Sequence, residues 1–276
     1  MILRVFYNTI FFMLEKDISS GIKEEIEKEG EKQAVDMEEF RRMIDAGLFY
    51  GRKKTKTHPN MRDVIFTNRG NIEIIDLIKT ISFLKTAMDF ISEEVGKGGK
   101  ILFVGTQPAV KSLIKEAADK FDFPYVNERW IGGTLTNFNV IKKRVDYFKD
   151  LKLKRENKEL GQYTKKERME IDKEIERMEK NFSGIAIMNK LPEVLFVINL
   201  NFHRIVIREA KRMKIPIVGV VNTDADYKEV DYPIPANDNS MKATRWILER
   251  LERAIEEGKK KVSAGAGESG NGENNN

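Results

Sequence analysis

The 276-residue chain contains no cysteine, which excludes a disulfide scaffold, a thiolate zinc site and a thiol nucleophile. It has 2 histidines, too few for a histidine-built metal cage. No apolar run reaches the roughly 20 residues that a helix needs to cross a bilayer, so no membrane role is expected. What the chain does have is charge. It holds 49 Lys and Arg against 44 Asp and Glu, a net +5, with 34% of residues charged and 41% apolar. The apolar share suffices for a core, and the length suits one large domain with appendages. The net value hides an asymmetry. Residues 1–40 carry 5 basic and 10 acidic groups, residues 41–70 carry 8 and 2, and residues 141–182 carry 14 and 10. Basic charge concentrated in two segments points to a polyanionic partner.

The ends read as appendages. Val5–Leu14 is apolar but runs into Glu15, Lys16 and Asp17 with no small-residue cleavage site. It reads as a short amphipathic leader, or the product of an early start codon, rather than a secretion signal. Residues 1–36 are therefore an N-terminal extension, and residues 258–276, ending in a Gly/Ser/Asn/Glu tract, a disordered tail. Between them, from residue 37 to 257, the pattern is globular. Met37, Phe40, Met43, Ile44 and Leu48 repeat at helical spacing up to Gly47. Ile101–Val104, Val194–Leu200 and Ile217–Val221 are short all-apolar runs of the kind found in buried parallel strands. Helices are predicted over Leu77–Val95, from Pro108, over Phe202–Met213 and over Ser240–Glu257, with shorter strands at Asn71–Asp76 and Tyr125–Val126. Alternating strands and helices imply right-handed crossovers and an α/β fold with helices on both faces of a parallel sheet.

The alternation breaks between residues 139 and 183. Ile141, Val145 and Phe148, then Ile171, Ile175, Met178 and Phe182, follow narrow helical seams on either side of a polar stretch, Asn157–Gly161. Two such helices predict a protruding antiparallel coiled-coil hairpin inserted in the α/β domain.

Catalytic chemistry finds little support. After Ile101–Val104 the loop Gly105-Thr106-Gln107-Pro108-Ala109 has neither dinucleotide-binding nor Walker A glycines. His58 and His203 belong to no recognisable triad. Asp224 and Asp226 follow the Ile217–Val221 strand and could hold magnesium, which keeps a nucleotide- or Mg-dependent α/β enzyme as the alternative. They serve equally as turn residues, and Asp238-Asn239-Ser240 reads as a cap for the last helix. No cofactor, metal, catalytic residue or small-molecule substrate is expected.

The segment Gly51–Arg62 contains five Lys or Arg and no acid, with no apolar periodicity. It reads as an unpacked, phosphate-contacting loop in which Arg52, Lys53, Lys54, Lys56, His58, Asn60 and Arg62 are candidate RNA-binding residues. The run Asn127–Phe138 combines Arg129, Trp130, a Gly-Gly turn and Thr134, Thr136 and Asn137. Glycines admit close approach of a partner, and Trp130 could stack on a base or fill the core. Thr134 or Thr136 could also cap the first hairpin helix. Lys142, Lys143 and Arg144, at the start of that helix, complete the candidate set.

Gly47–Gly51, Asn60-Met61, Ile74–Thr80, Ile101–Thr106, Leu191–Ile198, Ala210–Val221 and Asp231–Asp238 carry a family resemblance, and so, most specifically, does Arg129-Trp130-Ile131-Gly132-Gly133-Thr134-Leu135-Thr136-Asn137-Phe138. Over roughly residues 37–257 the chain resembles the bacterial-type small-subunit ribosomal protein S-two (uS-two) family. It departs from the family pattern at Arg52, Gln107 and Asn199. The resemblance implies a flavodoxin-like three-layer domain with a protruding hairpin. It implies a non-catalytic, cytoplasmic protein of the small (30S) subunit that binds 16S-type rRNA between head and body. It also implies neighbouring ribosomal proteins as partners, among them the S-one protein, whose recruitment it would assist.

Overall fold

The computed structural model describes residues 37–157, 159 and 163–268. The extension 1–36, residues 269–276 of the expected tail, and most of the polar stretch at 157–161 lie outside the described residues. The chain separates into two compact units, residues 1–42 and 43–276. Of the first, residues 37–42 are described and lie in helix α1 (Met37–Ala46).

The second unit holds two sheets. The smaller is antiparallel, built from β1 (Tyr50–Lys53), β2 (Ile65–Arg69) and β3 (Ile72–Ile75) in the order β1-β3-β2. Gly70 and Asn71 join β2 to β3 with φ of 55° and 64°, the left-handed pair that a tight hairpin turn requires. The basic segment expected to be unpacked thus begins in a strand and continues through short helices of one turn at Lys54–Lys56 and two turns at Pro59–Val64. Pairing with β3, not apolar periodicity, orders it.

The larger sheet is parallel: β4 (Ile101–Val104), β5 (Tyr125–Val126), β6 (Val194–Ile198), β7 (Ile217–Val221) and β8 (Tyr232–Pro235), in the order β5-β4-β6-β7-β8. Counted from β4 this is the 2-1-3-4-5 order of flavodoxin-like sheets. Every residue of β4, β6 and β7 is buried, as their continuous apolar runs require. Leu102, Val104, Leu195, Val197, Ile217 and Val221 join one large core cluster. Their alternates, including Ile101, Phe103, Phe196, Val218 and Val220, are buried on the opposite face.

The helices are α2 (Leu77–Gly96), α3 (Lys111–Asp119), α4 (Phe138–Glu156), α5 (Lys165–Phe182), α6 (Arg204–Met213) and α7 (Met241–Glu268). Asp76 caps α2, accepting from the Ile78 amide at 3.0 Å. Helix α3 starts at Lys111, not at Pro108, because residues 107–110 form a turn closed by the Val110 amide on the Gln107 carbonyl, 3.0 Å. Helix α7 runs on to Glu268, past the predicted end at Glu257, through a Lys- and Ala-containing stretch with no proline. Helices α4 and α5 contact each other, with Lys152 Nζ 3.2 Å from Glu179 Oε1. Their buried seams, Ile141, Val145, Phe148 and Leu151 facing Ile175, Met178 and Phe182, are continuous with the core cluster under the parallel sheet.

Candidate nucleic-acid interface

The basic segment is seated on the loop that follows β7. The His58 amide donates to the Thr223 carbonyl at 2.8 Å, and the Arg52 amide to Thr223 Oγ1 at 2.8 Å. Gly51 is required here: a Cβ would lie 2.7 Å from Thr223 Cγ2 and 2.8 Å from the Glu73 carbonyl oxygen. His58 Nδ1 accepts from the Asn60 amide, and Asn60 Nδ2 donates to Asp226 Oδ2 at 2.8 Å. Thr57 Oγ1 donates to the buried Glu73 carboxylate. Met61 and Val64 enter the core cluster.

Arg52 turns inward. Its Nη2 lies 2.9 Å from Asp238 Oδ1 and 3.2 Å from Asn239 Oδ1, and its Nε 3.4 Å from Asp224 Oδ2. Asp238 also accepts from Asn222 Nδ2 at 2.9 Å. Burial pushes the Asp238 carboxyl up to about 6, against the pull of the Arg52 guanidinium and the Asn222 amide and with the Asp224 charge adding to the rise. Asp238 therefore does not cap α7. Ser240 does, its Oγ accepting from the Ala243 amide at 3.3 Å. The remaining cations, Lys53, Lys54, Lys56 and Arg62, are exposed and make no ion pair among the described residues.

The carboxylates reserved for the enzyme alternative are occupied. Asp224 faces Arg52, and Asp226 accepts from Asn60 and, as an N-cap, from the Lys228 amide at 3.0 Å. Among the described residues no group of three or more His, Asp and Glu is placed to hold a metal. In a sheet of this order ligands lodge between the carboxyl ends of β4 and β6. Here His203, 3% exposed, bridges the loops that follow those two strands. Its Nδ1–H donates to the Asn199 carbonyl at 2.9 Å, since a carbonyl can only accept, and its Nε2 faces Thr106 Oγ1 at 3.1 Å. Burial holds this imidazole below its usual value, against two backbone contacts that favour the charged form.

The second candidate segment, between β5 and α4, is organised by a residue that sequence reasoning missed. Glu209 of α6 is 6% exposed. Its Oε1 accepts from Trp130 Nε1 at 3.0 Å and the Gly133 amide at 2.8 Å; its Oε2 accepts from the Leu135 amide at 3.0 Å and from the Thr136 amide and hydroxyl, both at 3.2 Å. Burial alone would raise this carboxyl, but the indole and the three amides together hold it below the usual range. Gly133, with φ of 91°, permits the turn that aims consecutive amides at one carboxylate. Trp130 is therefore anchored by its N–H and packs on the core edge. Thr134 is buried and donates to the Ile131 carbonyl at 2.6 Å; neither it nor Thr136 caps α4. A signal for Glu209 does exist in the sequence: it shares a helix face with Val206, Ala210 and Met213, where a charge is out of place.

Arg129, Asn137, Lys142, Lys143 and Arg144 are exposed. Arg129 and Glu128 line a groove of about 340 Å³ with Lys173, Glu176, Arg177 and Lys180 of α5, a juxtaposition that crosses some fifty residues of chain. Two basic surfaces thus belong to one scaffold. The family model for Ribosomal protein S2 matches residues 43–258. The chain belongs to the ribosomal protein S2 family. Among its relatives, the small ribosomal subunit protein uS2 of Desulfatibacillum aliphaticivorans is 39% identical over 223 residues, covering 80% of this chain and 75% of the relative. The protein of the same name from Corynebacterium urealyticum (strain ATCC 43042 / DSM 7109) is 38% identical over 222 residues, covering 80% and 82%. As a member of the ribosomal protein S2 family the chain is a ribosomal protein and not an enzyme, and its place is the cytoplasmic ribosome. Among the described residues no helix is long and apolar enough to cross a membrane.

Proposed function

We propose that the protein is a structural constituent of the small ribosomal subunit that binds 16S-type rRNA between head and body through its two basic surfaces. The observation that carries this reading is the division of labour within the segment 51–62. Arg52 and Asn60 tie it to the β7 and α7 loops, while Lys53, Lys54, Lys56 and Arg62 stay exposed. Cations carried on an ordered backbone, and without ion pairs among the described residues, contact phosphates without the cost of ordering the segment. In this reading Arg129, Asn137, Lys142, Lys143 and Arg144 extend the contact, whereas Trp130, Thr134 and Thr136 hold the second loop in shape. The domain spans residues 37–257, and α4 with α5 forms an antiparallel coiled-coil hairpin whose outer part projects beyond the sheet. Neighbouring small-subunit proteins, S-one among them, are its protein partners.

The test is binding to small subunits depleted of this protein, across a salt series. Replacing Lys53, Lys54, Lys56 and Arg62 by serine should weaken binding and flatten the slope of log affinity against log salt by about 0.7–0.9 per lost contact. An unchanged slope removes this segment from the interface. Failure of the wild-type protein to bind at all removes the reading itself.

A further inference from the structure

One exposed aromatic residue stands beside the basic segment without a role in the fold. Phe66 lies on β2, an edge strand of the three-stranded sheet, and is 53% exposed. The pairing explains how it came to be outside. Ile65 is opposite Ile75 and Thr67 is opposite Ile74, so two neighbouring residues of β3 face three of β2 and Phe66 is the extra one. A bulge of this kind re-aims a side chain and leaves its residue out of the ladder. The preceding residue, Ile65, packs against the core cluster, while Phe66 does not, and among the described residues no other aromatic ring pairs with it. An edge bulge that leaves an apolar ring more than half exposed gains little from its burial.

The surroundings are cationic. Arg62 lies in the last turn of the short helix Pro59–Val64 that leads into β2. With Lys54, Thr57, Ile65 and Glu73 it lines a depression of about 420 Å³, immediately next to Phe66 in the chain. The Glu73 carboxylate there is buried and engaged by Thr57, and the exposed acid of this stretch is Asp63. An exposed ring on the edge strand, one residue along the chain from the depression that Lys54 and Arg62 line, suits a nucleotide: the base on the ring face, the flanking phosphates on the cations. A protein partner that merely covered the ring would have no use for the cations.

We propose that Phe66 is a stacking platform for an unpaired base of the rRNA, held out by the β2 bulge, with Lys54 and Arg62 receiving the adjoining phosphates. This rests on the rRNA-binding reading above. The test uses the full chain and small subunits depleted of it, with Phe66→Ala, Phe66→Leu and Phe66→Trp compared with wild type. Stacking predicts about 5- to 100-fold weaker binding for Phe66→Ala with an unchanged salt slope, a similar loss for Phe66→Leu, and retained affinity for Phe66→Trp. The added indole should also be quenched on binding, beyond any change shown by wild-type Trp130 and Trp246. Equal binding of Phe66→Ala and wild type overturns the proposal while leaving rRNA binding intact. Full activity of Phe66→Leu also overturns it, and assigns the ring to an apolar contact with a neighbouring protein. Matching thermal midpoints for the three variants exclude misfolding as the cause.

Discussion

Two loops of this molecule are each fastened by one buried carboxylate, and the two carboxylates are held in opposite ways. Glu209 gathers an indole N–H, three amides and a hydroxyl, and stays ionised in spite of its burial. Asp238 receives Arg52 and Asn222 but sits near Asp224, and burial wins: its carboxyl is raised to about 6. Burial is common to both sites; the number of donors and the sign of the nearest charge decide the outcome. The Glu209 clasp therefore weakens only on acidification below about 4.5, whereas the Arg52 attachment changes between pH 4 and 6.

The comparison breaks most visibly if the clasp is removed. Glu209→Ala strands several buried donors, so a loss of about 3–4 kcal/mol is expected in urea denaturation. Glu209→Gln should fall between the two, since its amide keeps one acceptor oxygen. A loss below about 1 kcal/mol in the alanine variant would mean that water replaces the carboxylate and the loop is not held by it. At the other anchor, Arg52→Ala leaves Asp238 buried beside Asp224 without its cation, with an expected loss of about 2–3 kcal/mol. Removing both partners, Arg52→Ala with Asp238→Ala, should be less damaging than the sum of the single changes. Strict additivity in that double-mutant cycle would refute the coupling.

The pH dependence sharpens the contrast because the signs differ. Asp238 binds its proton more tightly in the folded state, about 6, than in the unfolded chain, near 3.8. Between those values the folded state holds more protons, so stability falls as pH rises from 4 to 6, by about 2 kcal/mol. Asp238→Asn should remove that slope. Glu209 does the reverse: its contribution is complete above pH 4.5 and fades as pH falls below it. The buried, depressed His203 likewise contributes fully above pH 6.5 and loses that contribution on acidification. Thermal midpoints of Asp238→Asn, Glu209→Gln and His203→Gln, read from pH 4 to 8 against wild type, separate these terms. The smallest effect is expected in the stretch that joins α4 to α5. Leu153 and Met169 are exposed, whereas Phe148, Leu151 and Ile175 are in the core cluster. Replacing residues 153–170 by a short glycine-rich turn should change stability by about 0.5 kcal/mol or less. A large drop, or loss of a cooperative transition, would show that this stretch packs on the body and would refute the proposed projecting hairpin.

Some of this architecture could be read from the chain and some could not. The runs Ile101–Val104, Val194–Ile198 and Ile217–Val221 announce buried parallel strands because each carries its burial locally. β8 does not, since Pro233 and Pro235 argue against a strand anywhere except an edge, and the edge is where it pairs with β7. The small antiparallel sheet was visible only at Asn71–Asp76. β1 looked like a charged loop because its order comes from β3, some twenty residues on. The candidate residues divide along the same line. Lys53, Lys54, Lys56, Arg62, Arg129 and the cluster Lys142–Arg144 could be picked out as a concentration of unopposed charge, and they are exposed. Arg52 belongs to the same run by composition, and only its contacts with Asp224 and Asp238 turn it into an anchor.

The amino-acid order alone was enough for the α/β class, the interruption between the two halves of the parallel sheet, the basic character of residues 51–62 and the family. Those features are written in residue type and short-range spacing, which survive any uncertainty about what packs on what. Tertiary structure alone decided which charges are spent internally, which carboxylate clasps which loop, and that His203 bridges the loops after β4 and β6. Each of those depends on residues that are between 73 and 186 positions apart in the chain. Their energies arise from desolvation and hydrogen-bond geometry, which exist only once distant segments have met.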